Sequence, residues 1–147
     1  VVERKPNGLY PITIGKSFAY VGEYSVIQQQ SVYKAQDRII KELADKADCV
    51  IVGRCADYIL RDKDPFRIFV YASMESRIQR CISRAESTEG LSEKEIKKQI
   101  KEIDKNRAKY YEFYTGNEWG DKENYDLCIN TTNANIKEVV AGIARMF

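Results

Sequence analysis

A chain of 147 residues with 44% hydrophobic and 31% charged side chains has the makeup of one globular domain, which excludes a fibrous or disordered polypeptide. Lys and Arg number 24 against 22 Asp and Glu, a net charge of +2, so affinity for phosphate has to come from local clusters and not from a global field. The absence of histidine excludes Ser-His-Asp and Cys-His catalysis and any Cys/His zinc site, leaving carboxylates, Arg, Lys, Tyr or a borrowed metal to carry chemistry.

Residues 1–24 read as irregular, broken by Pro6, Asn7, Gly8 and Pro11, with short strands expected at 12–14 and 18–21. A helix is predicted over 26–46, with Val32, Ala35, Ile39, Leu43 and Ala47 at the spacing of an amphipathic face. Four apolar residues, Cys49 to Val52, lie between Asp48 and Gly53 and suit a strand buried on both faces of a parallel sheet. A short helix over 54–60 and a charged break at 61–65 follow, then a second strand at 66–71 and a helix from a Ser73 cap to about residue 85. Ser92 to Glu95 form a capping box, and Leu91 is placed to pack on Ile96. The helix they open carries Ile96, Ile100, Ile103, Arg107 and Tyr111 on one face, and Gly116 is placed to end it. A last strand at 125–130 precedes a helix over 135–147 with Ile136, Val139, Val140 and Ile143 as its apolar stripe. Strands alternating with helices imply a parallel α/β sheet. No apolar run reaches the roughly 20 residues of a membrane span. The cysteines at 49, 55, 81 and 128 are expected to be small buried hydrophobes in a reducing cytosol.

Several segments could carry chemistry. Gly15-Lys16-Ser17 looks like the end of a phosphate-binding loop, but G-x-x-x-x-G-K-[ST] needs its first glycine where Tyr10 stands, so the loop is rejected. Gly53-Arg54 at the end of a buried strand would deliver a guanidinium to the carboxyl edge of the sheet, where open α/β sheets bind ligands. A surface ion pair explains Arg54 equally well. Arg77, Arg80 and Arg84 share one helix face, with Asp104 to Arg107 on the next helix and a polar loop at 86–90 between. Such a hairpin is either a lid closing on a polyphosphate or a solvated face. In the aromatic run of Tyr110, Tyr111, Phe113, Tyr114 and Trp119, Tyr111 continues the buried stripe, while the others could stack on a base or pack internally. Lysines at 94, 97, 98, 101, 105 and 109 admit a nucleic-acid surface, but Glu93, Glu95, Glu102 and Asp104 interleave with them, so no nucleic-acid partner is expected.

The segments Val50 to Leu60, Tyr71 to Arg80, Ile103 to Tyr111, Tyr114 to Gly120 and Tyr125 to Asn130 occur in an order that resembles the cytidylate-kinase-like family of P-loop kinases. The resemblance spans the chain. It implies a three-layer parallel α/β sheet of the nucleoside monophosphate kinase type and ATP-dependent transfer, with Mg²⁺, to a CMP-like acceptor. Arg54 and Asp57 would serve the acceptor, while Arg77, Arg80 and Arg107 would reach the transferring phosphates, with Asp104 ordering them. One kinase-like domain is expected, divided into an acceptor-side segment (1–25), sheet core (26–75), lid helices (76–115) and a closing strand and helix (116–147). The family's P-loop strand lies between strands at 49–52 and 66–71 in such a sheet, and no equivalent sequence is found here. The expectation is therefore a fold incomplete at its N-terminus, inactive as it stands, whose intact form is a cytoplasmic enzyme with nucleotide substrates and no membrane partner, and compatible with homo-oligomers. The rival reading is a non-catalytic nucleotide-binding or assembly module that keeps the kinase shape.

Overall fold

In a computed structural model, residues 26–83 and 90–147 are described, with side chains from residue 30 onward. The strands expected at 12–14 and 18–21, the Gly15-Lys16-Ser17 sequence, Arg84 and residues 86–89 of the polar loop lie outside them. The chain divides into two compact units, one ending at Pro65 and one beginning at Phe66.

The first unit is built on α1 (Val26–Lys46), whose bounds match the periodicity of its sequence. Its buried face differs from the predicted one. Ile40, 3% exposed, packs with Ala56, Ile59 and Leu60, and Tyr33, Ala44 and Ile51 close around that cluster. Val32 and Ile39, placed on the core face by spacing alone, are exposed. The helix carries two overlapping apolar stripes, and the one-turn helix α2 (Ala56–Ile59) covers only that of Tyr33, Ile40 and Ala44. A turn of 3₁₀ helix over Arg61–Lys63 follows, tied to α1 by the Lys63–Asp45 ion pair.

Residues 49–52, predicted as a strand buried on both faces, form no ladder with any described strand. Val50 and Val52 are 84% and 88% exposed, while Ile51 between them turns to the α1 cluster. Alternation of this kind means one covered face, because a strand buried on both faces needs a layer on each side.

The second unit holds β1 (Ile68–Tyr71) and β2 (Leu127–Asn130), which pair in parallel from Ile68 with Leu127 to Tyr71 with Asn130. Parallel neighbours need a long crossover, and here it contains α3 (Met74–Ser83) and α4 (Glu93–Thr115). Both strands begin two residues later than predicted. Arg67 and Asp126 stand at their entrance, where the Arg67 carbonyl accepts from the amides of Asp126 and Leu127 at 2.9 and 3.1 Å. The Asp126 carboxylate accepts from the Arg67 amide at 2.7 Å and from its Nε and Nη2 at 3.1 and 2.9 Å. Those bonds hold the Asp126 carboxyl below the usual carboxylate range.

One face of this pair is covered by aromatic packing. Trp119 meets Phe69 edge-on at 5.5 Å between centroids, and Tyr125 lies 4.9 Å from it. Gly120 touches the same ring; a Cβ there would stand 3.1 Å from Phe69 Cζ, and its φ of 87° already favours glycine.

The capping box that opens α4 is present: Ser92 Oγ accepts from the Glu95 amide, and the Ser92 amide donates to Glu95 Oε2 at 2.8 Å. Gly116, at φ 74°, ends the helix. Ile78 of α3 packs with Ile96 and Ile100, bordered by Met74, Cys81 and Leu91. Burial of Ile96 at 2% exposure contributes about 1.5–3 kcal/mol. Tyr111 is buried as expected, but Ile103 is 45% exposed, since three residues along it points about 60° away from Ile100. The closing helix α5 (Ile136–Ile143) is shorter than predicted and is capped by Asn135 Oδ1, which accepts from the Lys137 amide at 3.1 Å. Val139 and Ile143 are half-buried and Ile136 and Val140 exposed, so its stripe is only partly covered. Of the cysteines, Cys55 is buried and Cys81 half-buried, while Cys49 and Cys128 are exposed on the two extended segments, contrary to expectation. Among the described residues no helix is long and apolar enough to cross a membrane.

Candidate phosphate-binding site

The carboxyl ends of β1 and β2 are knitted together by Thr131 and Thr132. The Thr131 amide and hydroxyl both donate to the Tyr71 carbonyl, at 2.8 and 3.0 Å, and Thr131 is 3% exposed. Thr132 Oγ accepts from the Ser73 amide at 2.8 Å and donates to Asn130 Oδ1 at 2.7 Å, and its carbonyl accepts from Ser76 Oγ at 3.1 Å. Ser73 Oγ accepts from the Ser76 amide at 3.2 Å, which is the cap the sequence predicts for α3. The first turn of α3 is thereby fixed to the strand edge, and a concavity lined by Asn130, Thr132, Asn133 and Ala134 lies there.

One and two turns further along α3 come Arg77 and Arg80. Arg77 makes two parallel bonds to Asp104 of α4, Nη1 to Oδ2 at 2.6 Å and Nη2 to Oδ1 at 2.8 Å. Arg107 Nη1 stands 3.6 Å from Asp104 Oδ1, so a single carboxylate lies between two guanidiniums. The Asp104 bonds raise the Arg77 pKa above its ordinary value, outweighing the opposing effect of partial burial, so this arginine keeps its charge. Side chains in this trio retain 23–41% exposure. Arg80 turns elsewhere. It donates through Nη1 to Thr131 Oγ1 at 3.1 Å and through Nη2 to the Thr131 carbonyl. The structure thus joins Arg77, Asp104 and Arg107, and sets Arg80 against the end of β2.

Sequence reasoning missed Thr131, Thr132 and Ser76. For Thr131 and Thr132 the only signal was position: two threonines directly after a strand, at the edge where α/β sheets bind ligands; Ser76 carried no signal of its own.

Arg54 and Asp57 belong to the first unit, where both are half-buried. Gly53, Arg54 and Cys55 follow one another in the left-handed region, at φ 71°, 60° and 54°. For the two non-glycine residues that conformation costs on the order of 1–3 kcal/mol each. The turn is held by the Ala56 amide donating to the Gly53 carbonyl at 3.2 Å and by the Tyr58 and Ile59 amides donating to the Cys55 carbonyl at 3.0 and 2.8 Å. Burial pushes the Cys55 thiol up to about 12, so it is a protonated packing residue here and not a nucleophile. Arg61 lies over the Tyr58 ring at 4.3 Å and donates to the Tyr58 carbonyl, a second cation on this short segment.

Guanidiniums pre-set by a shared carboxylate suit the oxygens of a phosphate. Among the described residues no group of three or more Asp, Glu or Cys side chains gathers that could hold a metal ion, so no Mg²⁺-dependent step is derived from them.

A sequence profile described as the cytidylate kinase-like family matches residues 7–133. This chain belongs to the cytidylate kinase-like family. It is 32% identical over 119 residues to a cytidylate kinase of Thermococcus sibiricus, a match that covers 80% of this chain and 58% of that protein. The chain therefore spans somewhat over half the length of that curated relative. Among solved structures, an uncharacterized protein from Eubacterium ventriosum superimposes with a TM-score of 0.71 at 30% identity, over 82% of this chain and 67% of that one. This member of the family is a mixed helix–strand structure with a small parallel sheet among its described residues.

Proposed function

We propose that this protein serves ATP-dependent phosphoryl transfer to a nucleoside monophosphate of the CMP class, within a three-layer P-loop kinase fold. The observation that carries the reading is the Arg77–Asp104–Arg107 cluster beside the carboxyl edge of a parallel strand pair. Family membership and the curated cytidylate kinase relative support it from an independent direction.

Phosphoryl transfer spreads negative charge over the oxygens of the moving group, and catalysis rests on positioning and charge neutralisation more than on covalent chemistry. That demand suits a chain without histidine. Asp104 holds Arg77 in a fixed plane and draws Arg107 toward it, so neither side chain has to be ordered when charge develops. Two guanidiniums and one carboxylate leave a local charge of about +1, and Arg80 adds another within the same helix. Thr131 orients Arg80 by accepting from both of its terminal nitrogens. Arg54, on a left-handed turn after residues 49–52, is assigned to the acceptor phosphate, and Asp57 to the acceptor's polar groups. ATP is the phosphoryl donor in this reading.

The test is a coupled assay of the whole protein with ATP and each nucleoside monophosphate, with calorimetric binding in parallel. Turnover that is greatest with CMP or dCMP supports the reading. Calorimetric binding of nucleotides without turnover identifies a non-catalytic nucleotide-binding module, and absence of binding removes the nucleotide reading altogether.

A further inference from the structure

Lys94, Lys97, Lys98, Lys101, Lys105 and Lys109 are all exposed on α4. At about 100° per residue they fall within an arc of roughly 120°, on the side of the helix away from Ile96, Ile100 and Tyr111. The acidic residues that interleave with them in sequence do not interleave in space. Glu95 and Glu102 project along one flank of the arc, and Glu93 and Asp104 along the other. Glu95 is engaged with Ser92, and Asp104 with Arg77. Glu112 alone shares the lysine bearing, and it lies beyond Lys109 at the far end. Among the described residues none of the six lysines forms an ion pair. From Lys94 to Lys109 the stripe runs about 22 Å at 1.5 Å per residue.

A second observation limits what the stripe fits. Phe113, one turn past Lys109 and slightly to its side, is 68% exposed, and its ring is braced edge-on by Tyr114 at 4.9 Å, which is backed in turn by Tyr110 at 4.6 Å. An exposed, braced aromatic ring at the end of a line of cations is the arrangement that takes a phosphate backbone along the lysines and an unpaired base on the ring. Bases stacked inside a duplex could not reach the ring. A membrane surface would require an apolar face beside the cations, and the arc holds no apolar residue larger than Ala108.

We propose that the exposed face of α4 is a binding surface for single-stranded nucleic acid, without sequence preference, distinct from the arginine cluster, which meets the same helix at Asp104 on the flank of the arc and at Arg107 beyond it. The lysines contact successive phosphates and Phe113 stacks on one base.

The experiment is fluorescence anisotropy of labelled 15-nucleotide oligo(U) and oligo(dT) with the full chain, titrated across salt. Binding by either is expected, with log K falling against log salt with a slope of about −3 to −4, from about −0.7 per neutralised phosphate in single strands. Replacing Lys98, Lys101 and Lys105 together by Gln should weaken binding at least about tenfold and reduce the slope by about 2. Phe113→Ala should weaken it at least about fivefold with the slope unchanged. These are surface positions, and circular dichroism confirms that each variant keeps its helix content. Four results would overturn the proposal: no salt-dependent binding, unchanged affinity in the lysine variant, tighter binding to a duplex of equal length, or preferential binding to phosphatidylserine vesicles. Displacement of the oligonucleotide by excess CMP or ATP would also overturn it, by moving the binding to the arginine cluster. Failure of the kinase reading leaves these measurements unaffected.

Discussion

Replacing Asp104 by Asn keeps the shape of the side chain and removes the one negative charge between Arg77 and Arg107. In the native site Asp104 accepts two bonds from Arg77, at 2.6 and 2.8 Å, and faces Arg107 at 3.6 Å. The amide can keep one of the two Arg77 bonds and turns an NH₂ toward the other guanidinium nitrogen, so donor meets donor and the two arginines repel. Because Asp104 is still 23% and Arg77 30% exposed, water relieves much of this, and the stability loss should be only about 1–2 kcal/mol. For a chain of this size that lowers Tm by roughly 3–8 °C. The loss in catalysis should be larger, since loss of a fixed donor at a developing charge costs about 10²–10³ in kcat. Steady-state kinetics of the whole protein are therefore expected to show a fall in kcat of at least about a hundredfold with a smaller change in the KM for the monophosphate. Asp104→Glu, which restores the charge at a longer reach, should recover part of kcat. If kcat and KM stay native while Tm falls, Asp104 merely pins α3 to α4 and the arginine cluster has no part in transfer.

Three further outcomes are expected. Arg54→Lys should weaken monophosphate binding measured by calorimetry by about tenfold, because an ammonium loses the two-pronged geometry of the guanidinium; native affinity would remove Arg54 from the acceptor site. Gly120→Ala should lower stability by roughly 1–3 kcal/mol in urea melts, from a φ of 87° and a Cβ 3.1 Å from Phe69, and a native midpoint would show that the ring yields freely. The Asp126 carboxyl titrates lower in the folded chain than unfolded, so its contribution is present above the unfolded value near 4 and lost as pH falls through the folded one. Asp126→Asn should accordingly lower Tm at neutral pH and flatten the decline of Tm below about pH 4, and an unchanged acid limb would assign that decline to other carboxylates.

What could be read directly from the sequence was local. The bounds of α1, the capping box at Ser92 and the stop at Gly116 depend on neighbours within a turn or two, and all are present. Burial could not be read the same way. Two apolar stripes compete on α1, and only the position of α2, a tertiary fact, decides that Ile40 is buried and Ile39 is not. Residues 49–52 look doubly buried because four apolar residues are consecutive, yet burial needs partners on both sides, and the alternation at Val50, Ile51 and Val52 records one. Sequence spacing grouped Arg77 with Arg80, whereas the fold separates them: the first goes to Asp104, the second to the carbonyl edge at Thr131. The left-handed run at Gly53, Arg54 and Cys55 had no signature beyond its glycine, since nothing in Arg or Cys announces a positive φ.

The Thr131–Thr132 pair sets how the α3–α4 hairpin can deform. Three points on α3 are fastened to these two residues: the amide of Ser73, the hydroxyl of Ser76 and the guanidinium of Arg80. Set three and four residues apart, these anchors follow one side of α3 and hold it against the strand edge. By contrast, α4 is coupled to α3 through apolar contact at Ile78, Ile96 and Ile100, which slides at little cost, through the carboxylate of Asp104, and through a long, exposed bond from Gln79 Nε2 to Glu93 Oε1 at 3.5 Å. Stiffness in this unit is therefore unequal, with α3 behaving as part of the sheet and α4 as the compliant partner. A displacement of the hairpin would change the position of Arg107 before it changed that of Arg77 or Arg80.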